Sequence, residues 1–594
     1  MTFPAGRATM LMLCLWTIVL GSARISVAQP QYRQPLSMPT ISVPTTDAIG
    51  DSSNVTTQNA DSGNHPGLQE MPSHADNSAP HGADLCWWEH YVGGSLLEGR
   101  PPYRLTLEQA STLALNEAPE LSVLRTDWYI QQVEVIRQCA AFDWTTFVDT
   151  IWNQDNTPVG SQLDGALNRL RNRSLNSSFG LRRFDRQGGE LTVSQSMGIR
   201  NSNSAFILPN NQGSSRLALR YERPLMRGAG EYYNSSGIQL AELSRDTAFD
   251  RFQAGVQDHL LSVCVTYWNL VLARGRCLQA RASLQRAREI THEMQGRTQI
   301  DVTPQMLNRA ESEVASRGAS VTEVEYEVLS LQESLLRLIY GSRYTDFAAT
   351  EVLTLTTPFQ SAEPLSAEPH VDTALRQRSE VHQAIREIRA ASLRYELAEN
   401  EVLPSLNLVL SGYAAGLHRD NDVGRAIANQ FRTGQPGVAV GLDYEIPYRN
   451  RAALAASEKS RMAMNRMQKQ FEVTIGQITE EVREQVIERN KCAAILPQRM
   501  TSLVRAKQIL EYSETRRRLL ADGVSVADLY LENLLQMQSR LEAAEFGYLQ
   551  SQIQCVIADN ALTRATAAME QLAVPALMPM NVESGHSMLY QSVP

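Results

Sequence analysis

An internal repeat constrains this chain more than any other feature. Ala114-Leu115-Asn116-Glu117-Ala118-Pro119-Glu120-Leu121 opens one long helical stretch, and Ala374-Leu375-Arg376-Gln377-Arg378-Ser379-Glu380-Val381 opens another 260 residues later. About one helix further on, each copy turns into a β-prone segment. Each of these segments ends on a proline followed by arginine and small residues: Pro224-Leu225-Met226-Arg227-Gly228-Ala229-Gly230, then Pro447-Tyr448-Arg449-Asn450-Arg451. A further long helix follows each joint. A helix–strand–helix unit stated twice in one chain implies a tandem architecture.

The local patterns fill in this plan. Thr106 is placed as a helix N-cap, with Gln109 three residues on, and the helix it starts is expected to run to about Ala141. The period then changes. Residues 145–152, 177–184, 190–200 and 216–222 read as strands, separated by polar loops such as 201–215. Leu217, Leu219 and Tyr221 alternate with Arg216, Ala218, Arg220 and Glu222, which suits a sheet with one apolar and one polar face. Helical period returns over 238–298 with the stripe Phe252, Val256, Leu260, Val263, Tyr267 and Leu270. After a break at 301–304, a helix to Tyr340 carries an apolar seam from Leu307 to Leu338, spaced alternately three and four, with Arg317 as its one polar member. That is coiled-coil spacing. The second copy repeats the order: helix 374–402, strands 405–417 and 437–445, helix 452–518, and, beyond Asp522-Gly523, a last helix with a seam from Leu534 to Leu562.

Residues 1–28 read as a secretory signal, with Arg7, an apolar run over 10–20 and a small-x-small site at Ser26-Val27-Ala28. The run is too short for a membrane anchor, and bulky Leu13 before Cys14 argues against lipidation. Residues 29–100 form an extended or disordered stretch, rich in Ser, Asn, Pro and Gly up to about residue 83, with Cys86-Trp87-Trp88 and Tyr91 leading into the ordered part. The two repeats occupy 101–340 and 371–571, joined by a Thr/Pro/Ser/Ala-rich linker at 341–370, and 572–594 is a loose tail. A formal charge of −9 without a basic block argues against nucleic acid as a partner. The six cysteines beyond Cys14 show no CxxC pair or zinc spacing. No catalytic constellation, metal site or cofactor motif is present. Gly228-Ala229-Gly230 lacks the lysine of a phosphate loop, so it reads as a flexible strand-to-helix joint.

Taken in order, these pieces resemble the TolC-type outer-membrane factor family. The pieces are Leu105 to Leu121, the PLMRGAG joint at 224–230, the stretch 263–273 with Tyr267-Trp268, the joint 401–406, and the turn GVSVADL at 523–529. The resemblance spans roughly 105–570. It implies a mainly α fold with inserted β, internally duplicated. Three protomers each lend four strands to one closed twelve-stranded outer-membrane barrel, continued by a long periplasmic α-helical barrel. No hydrophobic transmembrane helix is needed, because a closed barrel satisfies its own backbone. The implied function is a passive exit channel of a tripartite efflux pump, not an enzyme. Its partners would be a periplasmic membrane-fusion adaptor, an inner-membrane pump and outer-membrane lipid. Type I protein secretion is an alternative use of the same duct, and a soluble periplasmic coiled-coil adaptor or scaffold is a second alternative. Loops 201–215 and 418–436 would face the exterior, and Pro304 and Gly523 would mark the periplasmic tip turns. Pro224, Gly228, Gly230 and Pro447 would form the strand–helix joints. Asp528 stands where the family places an Asp at the narrow entrance, and three-fold symmetry would make it a carboxylate ring. Glu532, one turn along, would add a second. Asp528 also suits the first turn of a helix as a simple anion. The equivalent place in the first half is Met306.

Overall fold

The computed structural model describes residues 85–97, 99–160, 169–297, 302–358, 363–520 and 527–569. The signal segment, most of the 29–100 stretch, Gly523 and the 572–594 tail lie outside the described residues. In chain order the first half contains β1 (Pro102–Leu105), α1 (Leu107–Glu117), α2 (Pro119–Cys139), β2 (Thr145–Pro158), β3 (Arg169–Phe184), β4 (Glu190–Ser202), β5 (Asn211–Pro224), α3 (Ser236–Gly296) and α4 (Pro304–Tyr340). The second half contains β6 (Glu351–Thr354), α5 (Ala367–Gln377), α6 (Ser379–Asn400), β7 (Ser405–Arg419), α7 (Val423–Arg432), β8 (Gly437–Glu445), α8 (Arg451–Leu520) and α9 (Ala527–Ala565).

The first helix starts where the sequence places it. Thr106 Oγ1 accepts the Gln109 N–H at 3.2 Å, and Gln109 Oε1 accepts the Thr106 N–H at 3.1 Å. It does not run unbroken to Ala141. Ala118 is extended, with ψ 120°, because a residue before proline is excluded from the helical region, and Pro119 restarts the chain as α2. The second copy breaks at the matching residue without a proline. Arg378, 260 residues after Ala118, takes φ −67° and ψ 130°. There the buried guanidinium donates to Glu380 at 2.7 Å and to Glu481 at 2.6 Å. The duplication is therefore visible in backbone geometry, held by different chemistry in each half.

Two helices set the length. α3 has 61 residues and α8 has 70, about 90 and 105 Å at 1.5 Å per residue. Nearer the sheet, the lateral order is α2, α3, α6, α8; further away, α4 and α9 replace α2 and α6 beside the same two long helices. Four helices therefore make the wall at each level. The stripe Phe252, Val256, Leu260, Val263, Tyr267 and Leu270 is buried throughout, as the period requires. On α4, Ala310, Val321, Val324, Val328 and Leu335 are buried, and Arg317 among them is satisfied. Its Nε donates to Glu313 at 2.9 Å and its Nη1 to the Ser283 carbonyl at 3.0 Å and Gln538 at 3.2 Å. A polar group at a seam position that binds α3 and α9 together fixes their register.

The segment assigned to an inter-repeat linker also carries structure. β6 pairs in parallel with β1, Pro102 opposite Glu351 through Leu105 opposite Thr354. Residues before 100 are packed as well, with Trp88 fully buried and Val92 and Leu96 in the same core. Arg274 of α3 fastens the three pieces together. Its Nε donates to the Val92 carbonyl at 3.0 Å, its Nη1 to Glu351 at 2.9 Å and to the Val352 carbonyl at 3.0 Å, and its Nη2 to the Gly94 carbonyl. Glu351 in turn accepts from Ser95 Oγ at 2.6 Å and from the Leu96 and Leu97 N–H groups at 2.8 and 3.2 Å. Both side chains are fully buried.

The β segments form one antiparallel sheet of six strands in the order β2-β3-β4-β5-β7-β8. The sheet holds two strands more than the four per protomer that the resemblance implies. The extra hairpin, β3–β4, lies in the plane of the sheet. β2 pairs with β3 from Thr145 opposite Arg182 to Pro158 opposite Arg169, and β3 with β4 from Phe184 opposite Glu190 to Asn172 opposite Ser202.

Candidate functional site

The register sorts the sheet into two unlike faces. Paired residues share a face and neighbours along a strand alternate. One face carries Val148 and Trp152 of β2, Leu175, Phe179 and Leu181 of β3, and Leu191, Val193, Met197 and Ile199 of β4. It continues through Leu217, Leu219 and Tyr221 of β5, Leu406, Leu408 and Leu410 of β7, and Val438, Val440, Leu442 and Tyr444 of β8. The other face carries Asp149, Asn153 and Asp155, then Asn172, Ser174, Asn176 and Ser178, then Thr192, Ser194 and Ser196. Arg216, Arg220, Glu222, Asn407, Ser411 and Asp443 extend it. The side chains there serve one another: Arg216 lies 4.0 Å from the Tyr413 ring centroid, Arg220 pairs with Glu222 at 2.9 Å, and Arg200 donates to Asn172 at 2.9 Å.

The apolar face has a measurable height. Along β3 it reads Arg173, Leu175, Ser177, Phe179, Leu181, Arg183. The two arginines are ten residues apart, about 33 Å along a strand and about 25 Å in height once the strand tilts by about 40°. A sheet with these two faces can separate a hydrocarbon layer from water. Its edges are open. β2 and β8 are exposed along nearly their whole length, and Val440 at the β8 edge is 70% exposed. The helical wall has equally unpartnered flanks, with Val123, Ile130 and Val133 exposed on α2 and Met462, Val473 and Ile487 on α8.

Helix α7, which the sequence reading left inside loop 418–436, lies on the apolar face near the far end of β5 and β7. Asp422 caps it, its Oδ1 accepting the Arg425 N–H at 2.9 Å. Its buried Gln430 accepts from Ser215 Oγ at 2.6 Å and meets Gln195 at 3.2 Å. Ser215 and Gln195 are polar interruptions on the apolar face, so α7 covers them. Gly416 permits the approach, because a Cβ there would strike the α7 backbone at Ala426 and Gln430.

The proposed joint residues lie where strands give way to helices. Pro224 is the last residue of β5, and Pro447 follows β8. Gly228 has φ +78°, and Gly230 has φ +100° with ψ 153°, a region open to glycine alone. Asn234 Nδ2 donates to the carbonyls of both glycines at 2.8 Å, and Asn400 accepts the Gly228 N–H at 2.7 Å. The second joint turns through Arg449 and Asn450, both at positive φ. Gly230→Val forces a β-branched residue into this region at a cost of about 1–3 kcal/mol. We expect it to lower the yield of assembled protein, while Gly318→Ala, on open α4 surface, leaves the yield unchanged. Equal yields of the two variants on a native gel would show that the joint tolerates relaxation.

At the opposite end, Pro304 occupies the first position of α4, and Thr303 accepts the Met306 N–H at 3.3 Å. Met306 is buried. Asp528 and Glu532 belong to α9, but their side chains, like Gly523, lie outside the described residues. Among the described residues, no helix is long and apolar enough to cross a membrane, and no cluster of His, Cys, Asp or Glu could hold a metal ion.

No protein-family model matches the sequence, and no curated protein does. Solved structures do match. The chain is similar to the Campylobacter jejuni CmeC outer membrane channel, at 13% identity and TM-score 0.58, over 86% of this chain and 98% of that one. It is similar to the outer membrane protein VceC of Vibrio cholerae, at 16% identity and TM-score 0.55, over 78% and 96% of the two chains. The open state of the Neisseria gonorrhoeae MtrE outer membrane channel matches at 14% identity and TM-score 0.52, over 78% and 88%. At these identities the shared property is the fold, that of outer-membrane channels.

Proposed function

We propose that this chain is one protomer of a trimeric outer-membrane exit channel, spanning the outer membrane through its sheet and reaching into the periplasm through its helices. The observation that carries the reading is the six-stranded sheet, with an apolar face, a polar face and two unpaired edges. Lipid offers an open sheet edge no partner, so such a sheet is stable there only when closed. The edges meet correctly for closure. With six antiparallel strands, β2 and β8 run in opposite directions, so β8 of one copy can pair with β2 of the next. The exposed apolar flanks of α2 and α8 would close beneath them in the same rotation. The likeness to outer-membrane channels supports this assignment.

The role is transport without chemistry: passage of small molecules delivered by a periplasmic adaptor and an inner-membrane pump, which set the substrate. The mature protein should fractionate with the outer membrane and run as a trimer in mild detergent. Recovery as a soluble periplasmic monomer would overturn the channel in favour of a scaffold.

Asp528 and Glu532 are the proposed gate carboxylates at the periplasmic tip. A ring of three carboxylates at a narrow mouth favours cations and loses that pull as it protonates. Asp528→Asn should therefore shift the reversal potential in a salt gradient toward zero. An unchanged potential would assign Asp528 to stabilising the start of α9.

A further inference from the structure

We propose that the trimer closes an eighteen-stranded barrel, giving the outer-membrane section a bore of about 26 Å that takes bulkier solutes than a twelve-stranded wall would pass. This rests on the trimeric channel reading above. The β3–β4 hairpin is the deciding element, since without it each protomer would supply the four strands β2, β5, β7 and β8.

Three observations place the hairpin in the wall. Its hydrogen-bond ladders to β2 and β5 are continuous, so it is the interior of the sheet and not a flap at its edge. Its strands have 16 and 13 residues, each longer than the 9–11 or so that cross a bilayer when tilted. The face alternation also passes through it, with Ser177 and Gln195 as its polar interruptions. Leu175, Phe179 and Leu181 with Val193, Met197 and Ile199 continue the apolar face, and Ser174, Asn176 and Ser178 with Thr192, Ser194 and Ser196 continue the polar one. A hairpin outside the membrane has no need of a lipid-like face about 25 Å tall.

The widths of the two layers agree with this. Four helices per protomer at about 8–10 Å spacing make a wall about 32–40 Å wide. Six strands about 4.8 Å apart and tilted by about 40° make about 38 Å, whereas four make only about 25 Å. Six strands therefore seat on the helices without narrowing. Closed by three copies, eighteen strands have a backbone diameter of about 36 Å and twelve about 24 Å, and the wall thickness removes about 10 Å from each.

The test has two arms on the full-length trimer. Cryo-electron microscopy in nanodiscs should count eighteen strands in the wall. Twelve strands, with β3–β4 folded away, would overturn the proposal while leaving the channel intact. In oriented planar bilayers, neutral polyethylene glycol about 20 Å across, added from the extracellular side, should enter the wild type and lower its conductance. It should be excluded from a variant lacking residues 159–210, in which an Asn-Gly turn joins β2 to β5 with faces matched. Exclusion from the wild type would overturn the wide bore. A protein that forms no trimer would instead remove the channel reading, and this proposal with it.

Discussion

Val440→Arg is expected to reduce assembled trimer at least tenfold, while Ala439→Arg, one residue away, leaves it close to wild type. Val440 lies on the apolar face of edge strand β8, opposite Leu410, and is 70% exposed in the single chain. Ala439 lies on the polar face opposite Ser411. A lipid-facing arginine near the middle of the bilayer costs about 2–4 kcal/mol, and a trimer carries three. On the lumen face the same side chain stays in water. Heat-modifiable migration of the trimer band reads both variants. Equal loss in the two would mean that the faces do not distinguish lipid from water.

The second large effect is expected at the buried pair that fastens the N-terminal segment to the helical wall. Arg274→Met leaves the Glu351 carboxylate buried without its counter-charge, a change that costs about 3–5 kcal/mol. Hydrogen exchange over residues 86–97 should rise sharply, because Val92 and Gly94 lose their donor. The double replacement Arg274→Met, Glu351→Leu should recover part of the loss, since an apolar pair does not leave a buried charge. The pair also sets a pH dependence. Burial by itself pushes the Glu351 carboxyl up, but hydrogen bonds from Ser95, the Leu96 N–H and Arg274, with the charge of Arg274, hold it below the usual carboxylate range. A depressed folded pKa contributes stability that is present above the unfolded value and lost as pH falls through the folded one. Wild type should therefore keep this contribution from neutral pH down through mildly acid conditions and lose it only in strong acid. A melting curve for Arg274→Met superimposable on wild type would show that the pair is dispensable.

The sequence carried the repeat, the seams, the Thr106 cap and the joints because each is a local pattern. Strand ends were less legible for a physical reason. The β-prone pattern of β2 ends at Trp152, yet the strand continues through Asn153, Gln154, Asp155 and Asn156 to Pro158. Likewise β5 begins at Asn211, although residues 211–215 read as loop. Beyond Trp152, β2 has left the apolar band, so neither face needs hydrophobic side chains; in β5, Gly213 and Ser215 lie against Asp422 and Gln430 of the α7 segment, so the alternation disappears in both places while the ladder persists. Helix α7 did leave a signal, with Asp422 as N-cap and Val423, Ala426, Ile427 and Gln430 at helical spacing, but it is brief and set between polar residues. The Arg274–Glu351 pair left none, since its members are 77 residues apart and only the tertiary fold brings them together. All six strands are legible as β-prone runs, but their union in one sheet is hidden by the same limit. Residues 145–222 hold four β-prone runs, two more than the resemblance needs, and which strands they pair with is set only by partners across the sheet.

The most direct test of the central claim is a nitroxide scan of residues 437–445 in protein reconstituted into lipid vesicles, comparing collisions with oxygen, which concentrates in hydrocarbon, and with a water-soluble nickel chelate. A two-residue alternation is expected: oxygen dominant at 438, 440, 442 and 444, nickel dominant at 439, 441 and 443. Nickel accessibility at every position, with no alternation, would contradict it and place the sheet in water.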